Sequence, residues 1–83
     1  MEPRKKVLEV KVRFIPWDNR FRWSGYVVVD EIAVDLASTK EGTTAVTKIG
    51  TVDGVAIVAT PEEIARAVHK AEEVFRHVVE VMR

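Results

Sequence analysis

From Thr60 onward the chain changes its period, and no other feature restricts its fold as much. Before that point apolar residues alternate in steps of two. After it they recur at Ile64, Val68, Ala71, Phe75, Val78 and Met82, in steps of four and three. The first rhythm belongs to a half-buried strand and the second to one face of a helix. Thr60-Pro61-Glu62-Glu63 marks the change. Threonine serves as the N-cap, proline sits at the first helical position where its missing N–H costs nothing, and Glu63 can reach back to the cap. Acids in the first turn and Arg83 at the far end suit the helix macrodipole. Ala67, Val74, Val79 and Val81 widen the apolar stripe. These signals predict one helix of about 22 residues and about 33 Å.

Residues 5 to 15 place Leu8, Val10, Val12 and Phe14 on one face and Glu9, Lys11 and Arg13 on the other. Alternation resumes from Phe21 to Val29, so a hairpin closed around Asp18-Asn19 is expected. Pairing Trp17 with Arg20 sets Phe14 opposite Trp23, Val12 opposite Gly25, Val10 opposite Val27 and Leu8 opposite Val29, a wholly apolar or glycine face that belongs to the core. The other face shows Lys11 across from Tyr26, Arg13 across from Ser24 and Ile15 across from Arg22, and should be solvated. Beyond Val29 the inward residues become even-numbered, Ile32, Val34 and Leu36, which requires a bulge or sharp bend near Asp30-Glu31. Residues 37 to 44 lack apolar periodicity and read as a mobile surface loop. Ala45 to Val52 and Val55 to Ala59 read as two more strands joined by Asp53-Gly54. The expected architecture is α+β: an antiparallel sheet of four or five strands, built from two hairpins, followed by one long C-terminal helix packed on one face. At 83 residues this is a single domain, residues 1 to 83.

A domain this small buries only about 60% of the surface its unfolded chain exposes, so its core is thin. Strands of five or six residues span about 17 to 20 Å, less than the helix. The stripe Ile64, Val68, Ala71, Phe75, Val78 and Met82 is therefore expected to serve as core and as the interface of a homodimer or higher oligomer.

The chain has no cysteine, which removes disulfides, thiolate nucleophiles and Cys-based zinc sites and fits a reducing cytosol. No apolar run approaches the roughly 20 residues that span a bilayer, and the mixed charges on the helix's polar side do not suit a membrane surface. A cytoplasmic protein without a membrane partner is expected. Abundant charge and valine suit a thermostable source or an engineered chain. His69, Glu73 and His77 share one side of the helix, and Asp30, Glu31 and Asp35 cluster near the bend. Solvated surface charge accounts for both sets, and the glycines form no phosphate cradle. No catalytic residue, metal ligand or cofactor is assigned, and an enzyme is not expected.

Function is sought in the first third of the chain. Five of the six aromatic residues lie between Phe14 and Tyr26, interleaved with Arg13, Arg20 and Arg22. Residues 1 to 26 hold seven Lys/Arg against three acids, a net of +4, which leaves −4 on residues 27 to 83. Cations displace counterions from a phosphate backbone, and rings offer stacking surface to any base. The expected function is single-stranded DNA or RNA binding by a homodimer. Lys11, Arg13, Arg20 and Arg22 would contact phosphates, with Trp17 and Tyr26 stacking on bases. In element order alone, such a sheet followed by a dimerising helix is similar to the transcriptional-coactivator type of single-stranded DNA-binding fold. The alternative is a non-enzymatic self-assembly module, natural or an engineered scaffold, whose hairpin face is merely solvated.

Overall fold

The structure, a computed structural model, describes residues 6–52, 54 and 59–83. Four strands follow one another, β1 (Val7–Phe14), β2 (Phe21–Val29), β3 (Ile32–Thr39) and β4 (Thr44–Thr51), and a single helix, α1 (Pro61–Met82), comes last. The strands form one antiparallel meander in the order β1-β2-β3-β4, with α1 packed on one face. The fold is α+β, as the change of period predicts. The fifth expected strand falls largely on residues 55 to 58, outside the described residues.

The register of the first hairpin follows the apolar pairing. Phe14 lies opposite Trp23, Val12 opposite Gly25, Val10 opposite Val27, Lys11 opposite Tyr26 and Arg13 opposite Ser24. One pair departs from expectation: Val7, not Leu8, faces Val29, because Leu8 is an unpaired bulge residue and is 56% exposed. The bulge moves the inward role by one residue, since strand side chains alternate with a period of two. Between Val29 and Ile32 the bend is a tight two-residue turn, with Asp30 in the left-handed region (φ 54°). Asp30 also extends the ladder: its N–H donates to the Lys6 carbonyl at 2.8 Å, and its Oδ1 accepts from the Lys6 N–H at 3.1 Å.

Residues 37 to 44 are not a mobile loop. β3 runs through Ala37 and Ser38, both buried, to Thr39, and β4 begins at Thr44. The turn between them is short. Gly42 donates to the Thr39 carbonyl at 3.0 Å with φ 94°, Thr39 donates to the Thr43 carbonyl at 2.9 Å, and Thr43 donates to the Thr39 hydroxyl at 3.1 Å. Ala37 and Ser38 are small and Thr43 and Thr44 polar, so the segment carries no apolar rhythm although its backbone is largely paired. Further bulges fall at Arg22, between β2 and β3, and at Thr47, between β3 and β4.

The capping box at Thr60 forms in full: Glu63 N–H to Thr60 Oγ1 at 3.2 Å, and Thr60 N–H to Glu63 Oε1 at 3.0 Å. Arg83 caps the helix from just beyond its last turn, donating its N–H to the Val79 carbonyl at 3.1 Å. The last turn itself holds no base. Ala67, Ala71, Phe75 and Val79 meet Trp23, Val27, Val29, Ile32, Val34 and Leu36 in the core, with Ile64, Val68 and Val74 at its margin.

The predicted interface stripe is thus largely spent inside the chain. Ala71 and Phe75 are fully buried, Ile64, Val68 and Val78 are half-buried, and only Met82, 49% exposed, is open to solvent. The length argument changes as well. Strands of eight or nine residues cover about 27 to 30 Å, nearly the span of the helix. Width is where the cover falls short. Four strands about 4.8 Å apart are broader than one helix of about 10 Å, so α1 seals the central strands and leaves the inner faces of the edge strands part-open. Phe14, expected in the core, is 50% exposed despite its tilted contact with Trp23 (ring centroids 4.9 Å apart), and Val10 and Ile49 are exposed too.

Candidate nucleic-acid interface

The face of the sheet turned away from α1 is laid out in cross-strand rows. Lys11, Tyr26, Asp35 and Lys48 form one row, Arg13, Ser24, Ala37 and Ala45 the next, and Glu9, Val28, Ala33 and Gly50 the row on the other side. A shallow depression of about 300 Å³ opens among Lys11, Arg13, Ser24, Tyr26, Asp35 and Thr47. Three of the six predicted binding residues, Lys11, Arg13 and Tyr26, are therefore brought together. Alternation dictates this, because odd positions in β1 and even positions in β2 pair across the hairpin on the face opposite the core.

Tyr26 is half-buried in the middle of the sheet and donates its hydroxyl to the carboxylate of Glu9, diagonally across the hairpin. That bond raises the phenol's pKa above its ordinary value, with desolvation and the negative charge of Glu9 acting in the same direction. The tyrosine is held neutral with its ring fixed in the sheet. Around it three cations, Lys11, Arg13 and Lys48, meet two carboxylates, Glu9 and Asp35, leaving a net of +1 on these rows. The face is less basic than the count over residues 1 to 26 suggests.

Trp17, Arg20 and Arg22 do not join this depression. Trp17 and Arg20 belong to the connection between β1 and β2, and Arg22 to the bulge at the start of β2. Asp18 organises this end of the hairpin, its Oδ1 accepting from the N–H groups of Arg20 at 2.8 Å and Phe21 at 2.9 Å. These two bonds, foremost that from Phe21, hold the Asp18 carboxyl below its ordinary pKa, helped by the positive charge of Arg22. Arg22 donates from Nη1 to the Asp18 carbonyl at 2.9 Å and the Phe21 carbonyl at 3.2 Å, so part of its donor capacity serves the turn. Arg20 lies over the Phe21 ring, 5.3 Å from its centroid. Trp17 is 75% exposed at the tip. Ile15, expected on the solvated face, is buried, and its N–H continues the ladder to the Arg22 carbonyl at 2.7 Å.

Asp35 and Lys48 complete the central row without having been assigned to it from sequence. Their signal was the pairing of β3 with β4, hidden because residues 37 to 44 carry no apolar rhythm. On α1, His69 Nε2 meets Glu73 Oε1 at 3.3 Å, both well exposed. Among the described residues no three His, Cys, Asp or Glu side chains converge as a metal site would require, and no helix is long and apolar enough to cross a membrane.

No family model, curated protein or solved structure matches this chain. The similarity in element order to a coactivator-type fold thus has no matched structure behind it, and function rests on the geometry of the site.

Proposed function

We propose that the chain binds single-stranded nucleic acid on the outer face of its sheet, with Tyr26 as the stacking platform and Lys11, Arg13 and Lys48 as the phosphate contacts. The observation that carries the reading is the shared depression: an aromatic ring fixed at mid-sheet, with Lys11 directly opposite it and Arg13 two residues along the same neighbouring strand, while Lys48 stands outside the depression at the far end of the row. A flexible single strand can lay a base on a ring within a sheet, whereas a duplex keeps its bases stacked inside. Trp17, exposed 75% at the turn, offers a second ring beyond the depression. With a net of only +1 on the central rows, binding is weak at physiological salt and strengthens at low salt.

This reading requires one chain only. A second copy, expected from the helix stripe, would seat on what the stripe leaves outside the core, chiefly Val81 and Met82. Sedimentation at micromolar concentration distinguishes that dimer from a 9.4 kDa monomer.

The test is a titration of labelled single-stranded and duplex oligonucleotides at two salt concentrations. The reading predicts a preference for single strands, a loss on the order of tenfold in Tyr26→Ala but not in Tyr26→Phe, and a salt slope reduced by about 1 in Lys11→Ala. Absence of binding at low salt refutes it and favours a module whose outer face is merely solvated.

A further inference from the structure

A second recess lies on the other side of the sheet, where α1 leaves β1 uncovered. It is an open groove of about 590 Å³ between the end of the first hairpin, the β3–β4 turn and the C-terminal end of α1. Its apolar surface comes from Phe14 and Met82, each about half exposed, and from the edge of Trp23. Its rim carries Arg22, Lys40 and Arg83.

We propose that this groove binds a small anionic amphiphile, an aliphatic carboxylate whose chain lies on Phe14, Trp23 and Met82 and whose head group meets Lys40 and Arg22. The size falls in the range of small-molecule sites, and an apolar wall with a few converging polar groups is their usual make-up. Charge selects among apolar ligands. The groove's own lining has three cations and no acid. Opposing charges lie outside this lining: Glu80, 3.6 Å from Arg83 Nη1, Asp18, whose carboxylate interacts with Arg22, and the roughly −0.5 charge at the helix C-terminus. Arg83 is partly satisfied by Glu80, and Arg22 gives one nitrogen to the turn, which leaves Lys40 as the cation with most to offer. A neutral chain would lose this contact, and a cationic one would be repelled. The groove is on the opposite side from the Tyr26 depression, and the inference does not depend on nucleic-acid binding.

The experiment uses full-length protein carrying Trp17→Phe, which leaves Trp23 as the sole tryptophan. Decanoate is titrated below its micelle concentration at fixed ionic strength and followed by Trp23 emission, with decanol and decyltrimethylammonium as chain-matched controls. The expected result is saturable binding of decanoate, about tenfold tighter than either control, which corresponds to about 1.4 kcal/mol. Lys40→Glu should weaken decanoate by a similar factor while leaving decanol unchanged, and Met82→Glu should weaken both. Equal affinity for decanoate and decanol overturns the proposal by showing an uncharged apolar patch. So does binding to intact anionic vesicles without binding to free decanoate. A self-associated species that buries Trp23 at the same concentrations also overturns it, since the groove would then be a contact between copies.

Discussion

Tyr26 and Glu9 are joined across the first hairpin, phenol to carboxylate, one step diagonally from the direct partner Lys11. Because the chain has a single tyrosine, its ionisation can be followed alone by tyrosinate absorbance. The midpoint should lie above the ordinary value near 10 and fall back in Glu9→Gln. A folded-state pKa raised above the unfolded one means the folded state holds the proton more tightly. The stabilisation is complete below the unfolded pKa and is lost as pH rises through the folded value. The gap in melting temperature between the wild type and Glu9→Gln should therefore narrow in that alkaline window.

Asp18 behaves in the opposite sense. Its folded pKa is depressed by the two N–H donors, so its contribution is present above the unfolded carboxylate value near 3.9 and disappears as pH falls through the folded value. Asp18→Ala should lower the melting temperature at pH 7, and the difference from wild type should shrink on acidification below pH 4. A difference that stays constant with pH would show that the turn is held by something other than the ionised carboxylate.

Gly25 and Gly50 both lie in strands, but they differ in what an added methyl would meet. At Gly25 it would fall 1.8 Å from the Lys11 carbonyl oxygen and 3.0 Å from Val12 Cα, backbone atoms that cannot swing aside. At Gly50 no described atom lies within 4 Å. Gly25→Ala should cost at least the ~1–3 kcal/mol typical of overpacking, because relief requires parting β1 from β2. Gly50→Ala should be neutral or stabilise by about 0.4–1 kcal/mol through the unfolded chain. Urea denaturation of the two variants gives the comparison directly.

Phe75 and Phe14 test the division between core and edge. Phe75 is fully enclosed between α1 and the sheet, and Phe75→Ala should cost about 3–5 kcal/mol, enough to unfold a domain this small. Phe14 keeps one ring partner and half its surface in water, so Phe14→Ala should cost about 1 kcal/mol. Similar losses in denaturant midpoint would contradict the exposure found along β1.

Local signals account for much of the fold. The capping box at Thr60, the helix extent and the first-hairpin pairs from Phe14–Trp23 to Val10–Val27 follow from residues close in sequence, whose periodicity and turn chemistry act before any distant contact forms. The bulge at Leu8 was not legible, since leucine and its neighbour Val7 suit the inward position equally well. The strand character of Ala37 and Ser38 was hidden for another reason: both are small, and polar Ser38 acquires its burial only where it pairs with Trp23 on the face that α1 covers. The same blind spot concealed Lys48 and gave Arg22 to the wrong surface, where a one-residue bulge changes which neighbours a guanidinium can reach.

The sequence by itself determined the order of elements and the two-faced character of β1 and β2, because alternation and helical spacing are properties of the chain as written. Only the tertiary structure decided which apolar residues are enclosed. One helix is narrower than four strands, so Phe75 is sealed while Phe14 and Met82 stay open, and that mismatch of widths is a relation between packed elements that no single segment contains.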